Sequence, residues 1–154
     1  MAAETLPACG LYRTLAPVSG VPAGRLVFFH NHGEPGPGIY LPTGWVANRA
    51  QFESGRTLDD PSHAALLEPL PEQGLYRVVS EFHCCEKLCR HFEAELLVQL
   101  GYDGAARPLL FVPEWVEGTL AFPERGFPLD AGRIGRLSRL QSPVVRRAPA
   151  EQLH

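Results

Sequence analysis

The sequence predicts a mainly β protein (α+β minor) made of two tandem-duplicated small units. Residues Pro37–Asp59 recur as Pro108–Asp130, and the tetrapeptide Gly-Leu-Tyr-Arg starts at both Gly10 and Gly74. The 15 glycines and 15 prolines are spread along the chain, which is typical of short strands joined by many turns. We therefore expect two SH3-like-sized β-barrels or curled sheets, packed around a pseudo-twofold axis, with one short helix in the second unit.

The repeat defines the expected boundaries of the units. Between residues 26 and 59, at least ten of 34 positions are identical in the second copy, against about two expected by chance. We expect the first β repeat at residues 10–73 and the second at 74–142. The offset between the copies grows from 64 to 71 residues, so the second copy contains an insertion, which we assign to residues 78–96. Residues 143–154 are expected to form a flexible basic tail.

Each copy contains the signals of a β-hairpin. The runs RLVFF and ELLVQLGY are rich in aliphatic and aromatic residues and are each followed by a glycine-bearing turn and a second apolar run. Pro42 and Pro113 are expected to end these second strands, because proline has no amide donor for a β-ladder. Three-residue spacing of leucine and isoleucine in Ala64–Leu70 and Ile134–Leu140 indicates one helical turn in each copy.

Four aromatic residues recur at matching positions and are predicted to form the core framework. They are Trp45 and Phe52 in the first copy and Trp115 and Phe122 in the second. Aromatic side chains bury large apolar areas, and a core shared by both copies would need them in both. The alternative is that the tryptophans form a recognition surface for peptides or bases.

The inserted segment is where we expect the short helix, over Cys84–Phe92, because apolar residues recur there at helical spacing. The segment also contains thiols and imidazoles, which are ligands that Zn²⁺ prefers. The candidate zinc ligands are His83, Cys85, Cys89 and His91. Their spacing differs from that of the common zinc motifs, so the alternative is that the cysteines pack as small hydrophobic residues.

A nucleophilic or redox cysteine is another interpretation of this segment. The adjacent thiols of Cys84 and Cys85 lie among basic side chains, which lower the pKa of a thiol. Catalysis also needs an orienting partner and a site for a developing oxyanion, and the sequence contains no complete set of these groups. We therefore predict no catalytic residues and do not expect an enzyme.

Two further regions differ between the copies and are candidate partner-binding sites. His30, His32 and Glu34 lie in the turn of the first hairpin, where the second copy has other residues. The C-terminal region is rich in arginine, and its candidate residues are Arg133, Arg136 and Arg139. Arginine-rich segments bind phosphates or acidic partners. The chain as a whole has a net charge of −3, so a nucleic-acid partner is the less favoured alternative.

The favoured function is a non-enzymatic binding or adaptor protein that recognises a protein partner. The alternatives are a zinc-binding regulatory protein that uses the Cys/His insertion and a nucleic-acid-associated protein that uses the arginine-rich tail. No cofactor other than zinc is expected. The sequence shows no signal-peptide pattern and no apolar run of the about 20 residues in a membrane helix, so we expect a cytoplasmic location. Thirteen arginines and one lysine suggest a bacterial origin.

Overall fold

The computed structural model describes residues 6–141 and is mainly β with only short helices, which confirms this part of the predicted fold class. Two five-stranded antiparallel sheets are accompanied by two short two-stranded ribbons. The first sheet contains β1 (Gly10–Thr14), β2 (Leu26–His30), β3 (Gly38–Val46), β4 (Arg49–Thr57) and β5 (Leu67–Pro69). The later strands are β6 (Gly74–Val78), β7 (Phe82–His83), β8 (His91–Phe92), β9 (Leu97–Tyr102), β10 (Pro108–Phe111), β11 (Glu114–Val116), β12 (Thr119–Ala121), β13 (Phe127–Pro128) and β14 (Leu137–Arg139).

The two large sheets have corresponding strand orders. The order is β4-β3-β2-β1-β5 in the first and β13-β10-β9-β6-β14 in the second. Backbone hydrogen bonds also recur: the N–H of Leu58 donates to Pro37 O at 2.9 Å, and the N–H of Leu129 donates to Pro108 O at 3.0 Å. The ribbons are β7–β8, inside the insertion, and β11–β12, which extends from the second sheet.

A 3₁₀ helix precedes the last strand of each sheet, at Pro61–Leu66 and Ala131–Arg136. Each begins three residues before the helical turn predicted in that copy. Asp60 caps the first helix, because its side chain accepts a hydrogen bond from the backbone N–H of Ser62 at 2.9 Å. In residues 6–141, no helix is long and apolar enough to cross a membrane.

Buried hydrophobic residues form two clusters. We call the part of the chain with β1–β5 the first half and the part with β6–β14 the second half. The first cluster lies in the first half alone and contains Tyr12, Val18, Val21, Val27, Phe29, Ile39, Leu58, Ala64 and Leu67. The second joins the halves, since Leu11, Leu26 and Ala50 pack there with residues of the second half. The backbone N–H of Leu26 also donates to Gly104 O at 3.0 Å, across the same boundary. The two halves therefore share one of the two hydrophobic clusters.

The helix predicted over Cys84–Phe92 is wrong. The segment is a hairpin in which β7 pairs with β8, and the rings of Phe82 and Phe92 stack with their centroids 5.1 Å apart. Leu88, at the turn, has a φ of 56°, which a right-handed helix does not allow. Apolar residues at helical spacing also satisfy part of an alternating strand pattern, so the spacing did not distinguish the two.

The predicted core role of the repeated tryptophans is also wrong. Trp45 is 44% exposed and Trp115 is 75% exposed, whereas Phe52 and Phe122 are half-buried. The tryptophans lie where their hairpins continue beyond the large sheets, so their side chains extend past the core of each sheet. Pro42 does not end its strand, because a β-bulge carries β3 past it. The predicted tail at 143–154 and the last residue of the predicted second repeat lie outside the described residues.

Candidate functional site

Two hairpin tips have the same local structure. We call residues 45–50 the first tip and residues 115–120 the second tip. The turn residues are Ala47 and Asn48 in the first tip and Glu117 and Gly118 in the second, and all four have positive φ values. This is the backbone of a tight two-residue hairpin turn. Trp45 faces Ala50 across the first hairpin, as Trp115 faces Leu120 across the second.

The first tip is docked on β9 of the second half. The indole Nε1 of Trp45 donates to Tyr102 O at 2.8 Å, and the side-chain amide of Asn48 donates to Gln99 Oε1 at 3.0 Å. Gln99 Nε2 in turn donates to Ala47 O at 2.8 Å. Because Gln99 is buried, pairing of both ends of its amide removes the cost of an unsatisfied polar group.

Gly101 allows this close approach. A Cβ atom at this position would lie 2.8 Å from Asn48 O, closer than real Cβ contacts allow. The position that corresponds in the first half, 71 residues earlier, is His30. Its Cβ would obstruct an equivalent approach to β2. The first half therefore docks its tip on the second, and the sequence of β2 opposes the reverse contact.

The second tip is exposed. Within residues 6–141, Trp115 is 75% exposed and Leu120 37%, whereas their counterparts Trp45 and Ala50 are 44% and 4% exposed. A twofold axis between the halves would bury both tips alike. The predicted pseudo-twofold arrangement is therefore wrong at this contact.

A thiol and two imidazoles converge beside the start of β1. The pairing of Gly10 with Phe29 brings Cys9 next to the end of β2. Cys9 Sγ lies 3.6 Å from His30 Nδ1 and 4.0 Å from His32 Nδ1. The three potential ligand atoms all lie within 4.8 Å of one another. These are the atom types of a Cys-His₂ transition-metal centre.

The three predicted partner-binding residues of the first hairpin lie together. His30, His32 and Glu34 line an open pocket of about 320 Å³, together with Tyr40 and Arg56. The imidazole centroids of His30 and His32 are 3.9 Å apart. The pocket thus combines imidazole, carboxylate and guanidinium groups beside the thiol of Cys9.

The predicted zinc ligands of the insertion lie around the β7–β8 hairpin. His83 and His91 are cross-strand neighbours with ring centroids 4.9 Å apart, and the sulfur atoms of Cys85 and Cys89 are 3.5 Å apart at the turn. His91 also approaches Glu81, with Nε2 3.2 Å from Oε2.

These four residues do not converge as one set of ligand atoms. In the part of the chain that the structure describes, Cys9, His30 and His32 are the group whose ligand atoms all lie within 4.8 Å of one another. In the insertion, the turn brings Cys85 and Cys89 together, and the pairing of β7 with β8 brings His83 and His91 together. The structure therefore places the more compact ligand set at a site that the sequence prediction did not choose.

The three thiols of the insertion differ in acidity. The backbone N–H and then the thiol of Cys89 lower the pKa of Cys85 to about 7. Burial raises the pKa of Cys84, and hydrogen bonding to Cys85 raises the pKa of Cys89. Negative charge therefore develops first on Cys85, which makes it the most nucleophilic thiol of this hairpin near neutral pH.

The three candidate arginines do not form one continuous surface of free guanidinium groups. Arg136 donates to the Ser80 hydroxyl at 3.1 Å, and Arg139 forms an ion pair with Glu72. Arg133 lies half-buried in the second 3₁₀ helix. The remaining tail arginines lie outside the described residues, so the nucleic-acid hypothesis stays a prediction.

Sequence reasoning missed Cys9 and misjudged Trp115. Cys9 directly precedes the repeated tetrapeptide, which starts a strand in both copies, and this position was a usable signal. Trp115 was assigned to the core because it recurs, although recurrence does not distinguish buried from exposed contact residues. Comparisons with protein-family models, with curated proteins and with solved structures found no significant match to this chain.

Proposed function

We propose that the protein is a non-enzymatic binding protein, built from two diverged β repeats of SH3-like size, that recognises a protein partner through its second hairpin tip. The observation that carries this proposal is the unequal fate of two equivalent tips. One tip is docked on β9 of the same chain through Trp45 and Asn48, and the other presents Trp115 and Leu120 to solvent.

The duplication is supported by sequence and structure together. The strand orders correspond, and the tyrosine of each repeated tetrapeptide bonds four residues back: Tyr12 OH to Ala8 O and Tyr76 OH to Glu72 O, both at 2.6 Å. The copies differ in what their tips contact. Divergence of a repeated unit in this manner leaves one tip for intramolecular packing and frees the other for a partner.

The docked tip indicates the chemistry that the free tip would recognise. In the first tip, an indole N–H donates to the backbone carbonyl at the end of β9, and the aromatic ring lies beside Gly104 of the following turn. The second tip adds two exposed carboxylates, Glu114 and Glu117, beside Trp115. The expected partner surface is therefore a flat, apolar sheet face with a free carbonyl oxygen and a basic rim.

A large aromatic side chain is suited to this role. Tryptophan is enriched among the residues that dominate binding energy, because it buries a large area and still donates one hydrogen bond. Self-association in the geometry of the first tip is disfavoured, since His30 occupies the position at which Gly101 admits that tip. A different protein is the expected occupant.

The test is affinity capture with the full chain, followed by direct binding to the captured protein. Trp115→Ser should no longer capture the partner. In the direct measurement, it should weaken binding at least tenfold, which corresponds to about 1.4 kcal/mol of binding free energy. Leu88→Ser is the matched control, because Leu88 is also an exposed apolar residue at a hairpin turn but lies in the insertion. Unchanged capture and affinity with Trp115→Ser would refute the proposal.

A further inference from the structure

The cluster of Cys9, His30 and His32 combines two sequence-distant segments. Cys9 comes before β1, and both histidines come from the end of β2 and its turn. The antiparallel register of these strands sets the approach, with Gly10 opposite Phe29. The position of the thiol beside the imidazoles is thus built into the first sheet and does not depend on a long side chain reaching across the surface.

The distances agree with a tetrahedral metal centre. Zinc bonds of about 2.3 Å to sulfur and 2.0–2.1 Å to nitrogen place tetrahedral sulfur and nitrogen ligands about 3.6 Å apart. The sulfur of Cys9 lies 3.6 Å from one imidazole nitrogen and 4.0 Å from the other. All three ligand atoms lie within 4.8 Å of one another, so side-chain rotation has to bring them closer for coordination.

Neighbouring groups hold the ligand side chains in place, and one of them donates to the thiol as outer-sphere residues do in metal sites. The backbone N–H of Asn31 donates to Cys9 Sγ at 3.3 Å, and the Asn31 side-chain oxygen lies 2.8 Å from His32 Nδ1. The Asn31 amide nitrogen donates to Pro7 O at 3.3 Å, which holds the side chain in this orientation. The same Asn31 oxygen lies 3.2 Å from Cys9 Sγ, so both of its contacts have to break before Cys9 Sγ and His32 Nδ1 can bond a metal.

All three residues occur where the halves differ. The corresponding residues of the second half are Gln73, Gly101 and Asp103. Gln73 and Asp103 have structural hydrogen bonds there, to the backbone of Ala50 and of Ala105. The shared fold therefore does not require a thiol or an imidazole at these positions, and their convergence in the first half needs another explanation.

We propose that Cys9, His30 and His32 form a binding site for one divalent transition-metal ion of the zinc class. Thiolate and imidazole ligands select this class over Mg²⁺ and Ca²⁺, which prefer oxygen. Three protein ligands leave the fourth position to water or to a small ligand, and His30 and His32 also line the adjacent pocket of about 320 Å³. This site is independent of the second hairpin tip.

The test uses the full-length protein, stripped with chelator under reducing conditions and titrated with Co²⁺. We expect a thiolate-to-cobalt charge-transfer band whose intensity saturates at one ion per chain for this site. Zn²⁺ should displace the cobalt and remove the band. Cys9→Ser should abolish the band, and His32→Ala should weaken binding at least tenfold. The matched control is the double variant Cys85→Ser/Cys89→Ser, which removes two thiols of the insertion and should keep the band.

The proposal would be overturned by the absence of stoichiometric uptake by the wild-type chain, or by uptake that survives in Cys9→Ser. Loss of all uptake in the Cys85→Ser/Cys89→Ser variant would also overturn it, because the metal would then lie at the insertion. Cys9 is exposed, so its substitution should leave the fold intact. Far-UV circular dichroism of each variant checks this, and Zn²⁺ should raise the melting temperature of the wild type but not of Cys9→Ser.

Discussion

The indole Nε1 of Trp45 donates a hydrogen bond to the backbone carbonyl of Tyr102 at 2.8 Å, and this bond joins the two halves of the chain. Its counterpart Trp115 lies at the same position of an equivalent hairpin and is 75% exposed within residues 6–141. The repeated tryptophan therefore joins the two halves at position 45 and is exposed on the surface at position 115.

Trp45→Phe should lower the free energy of unfolding by about 1–2 kcal/mol, because it leaves the carbonyl of Tyr102 without its donor and reduces the buried area. Trp115→Phe is the matched control and should change stability by less than about 0.5 kcal/mol. Urea unfolding followed by circular dichroism measures both without relying on tryptophan fluorescence. Equal effects of the two substitutions would contradict the asymmetric docking of the tips.

Gly101→Ala should destabilise the protein by about 1–3 kcal/mol, since the added methyl group meets Asn48 O at 2.8 Å and the ring of Phe111 at 3.1 Å. Gly104→Ala serves as control, because a Cβ there is in ordinary contact with Trp45 at 3.8 Å. This variant should be unchanged or stabilised by up to about 1 kcal/mol. Thermal melting of both variants tests the close approach; an unchanged Gly101→Ala protein would show that β9 tolerates a side chain there.

Cys85 should be alkylated faster than Cys84 and Cys89 near neutral pH, because its pKa is lowered to about 7, chiefly by the backbone N–H of Cys89. The rate should rise as the pH increases through about 7 and then level off, since the thiolate is the reacting form. Peptide mapping by mass spectrometry after brief iodoacetamide treatment gives the rate for each cysteine.

The variant Cys89→Ala tests the second cause of this shift. It removes the thiol donor but keeps the backbone donor, so the alkylation midpoint of Cys85 should move upward. Cys89→Ser retains a hydrogen-bond donor and should move the midpoint less. A midpoint that is the same in all three proteins would show that the Cys89 side chain does not affect Cys85.

Tyr102→Phe should reduce the alkaline sensitivity of the fold. Burial raises the pKa of Tyr102 above its ordinary value of 10, and its hydroxyl donates to Pro71 O at 2.6 Å. Above about pH 10 the unfolded chain loses this proton while the folded chain keeps it, so the free energy of unfolding falls with rising pH. Urea unfolding between about pH 9 and pH 11 should show a shallower slope for Tyr102→Phe; an equal slope would contradict this assignment.

Much of the local structure could be predicted from the sequence. Alternating apolar runs, glycine-bearing turns and the repeated tetrapeptide indicated strands, and β1 and β6 both start at that tetrapeptide. These signals are short-range, because backbone preferences and side-chain alternation act within a few residues. The insertion shows the limit of such signals: the spacing around Cys85 and Leu88 satisfied a helix, while the stacking of Phe82 on Phe92 favoured a hairpin.

The sequence by itself determined that the chain is a β protein with two similar halves, because that information lies in local periodicity and in the repeat. The tertiary structure decided which hairpin tip is docked on β9 and which side chains converge with Cys9. Both depend on contacts between residues far apart in the chain, such as the approach of Asn48 to Gly101 and of Cys9 to His30. Those contacts follow from strand register and from the missing Cβ atom of Gly101. The sequence shows the glycine, but only the assembled sheets show what approaches it.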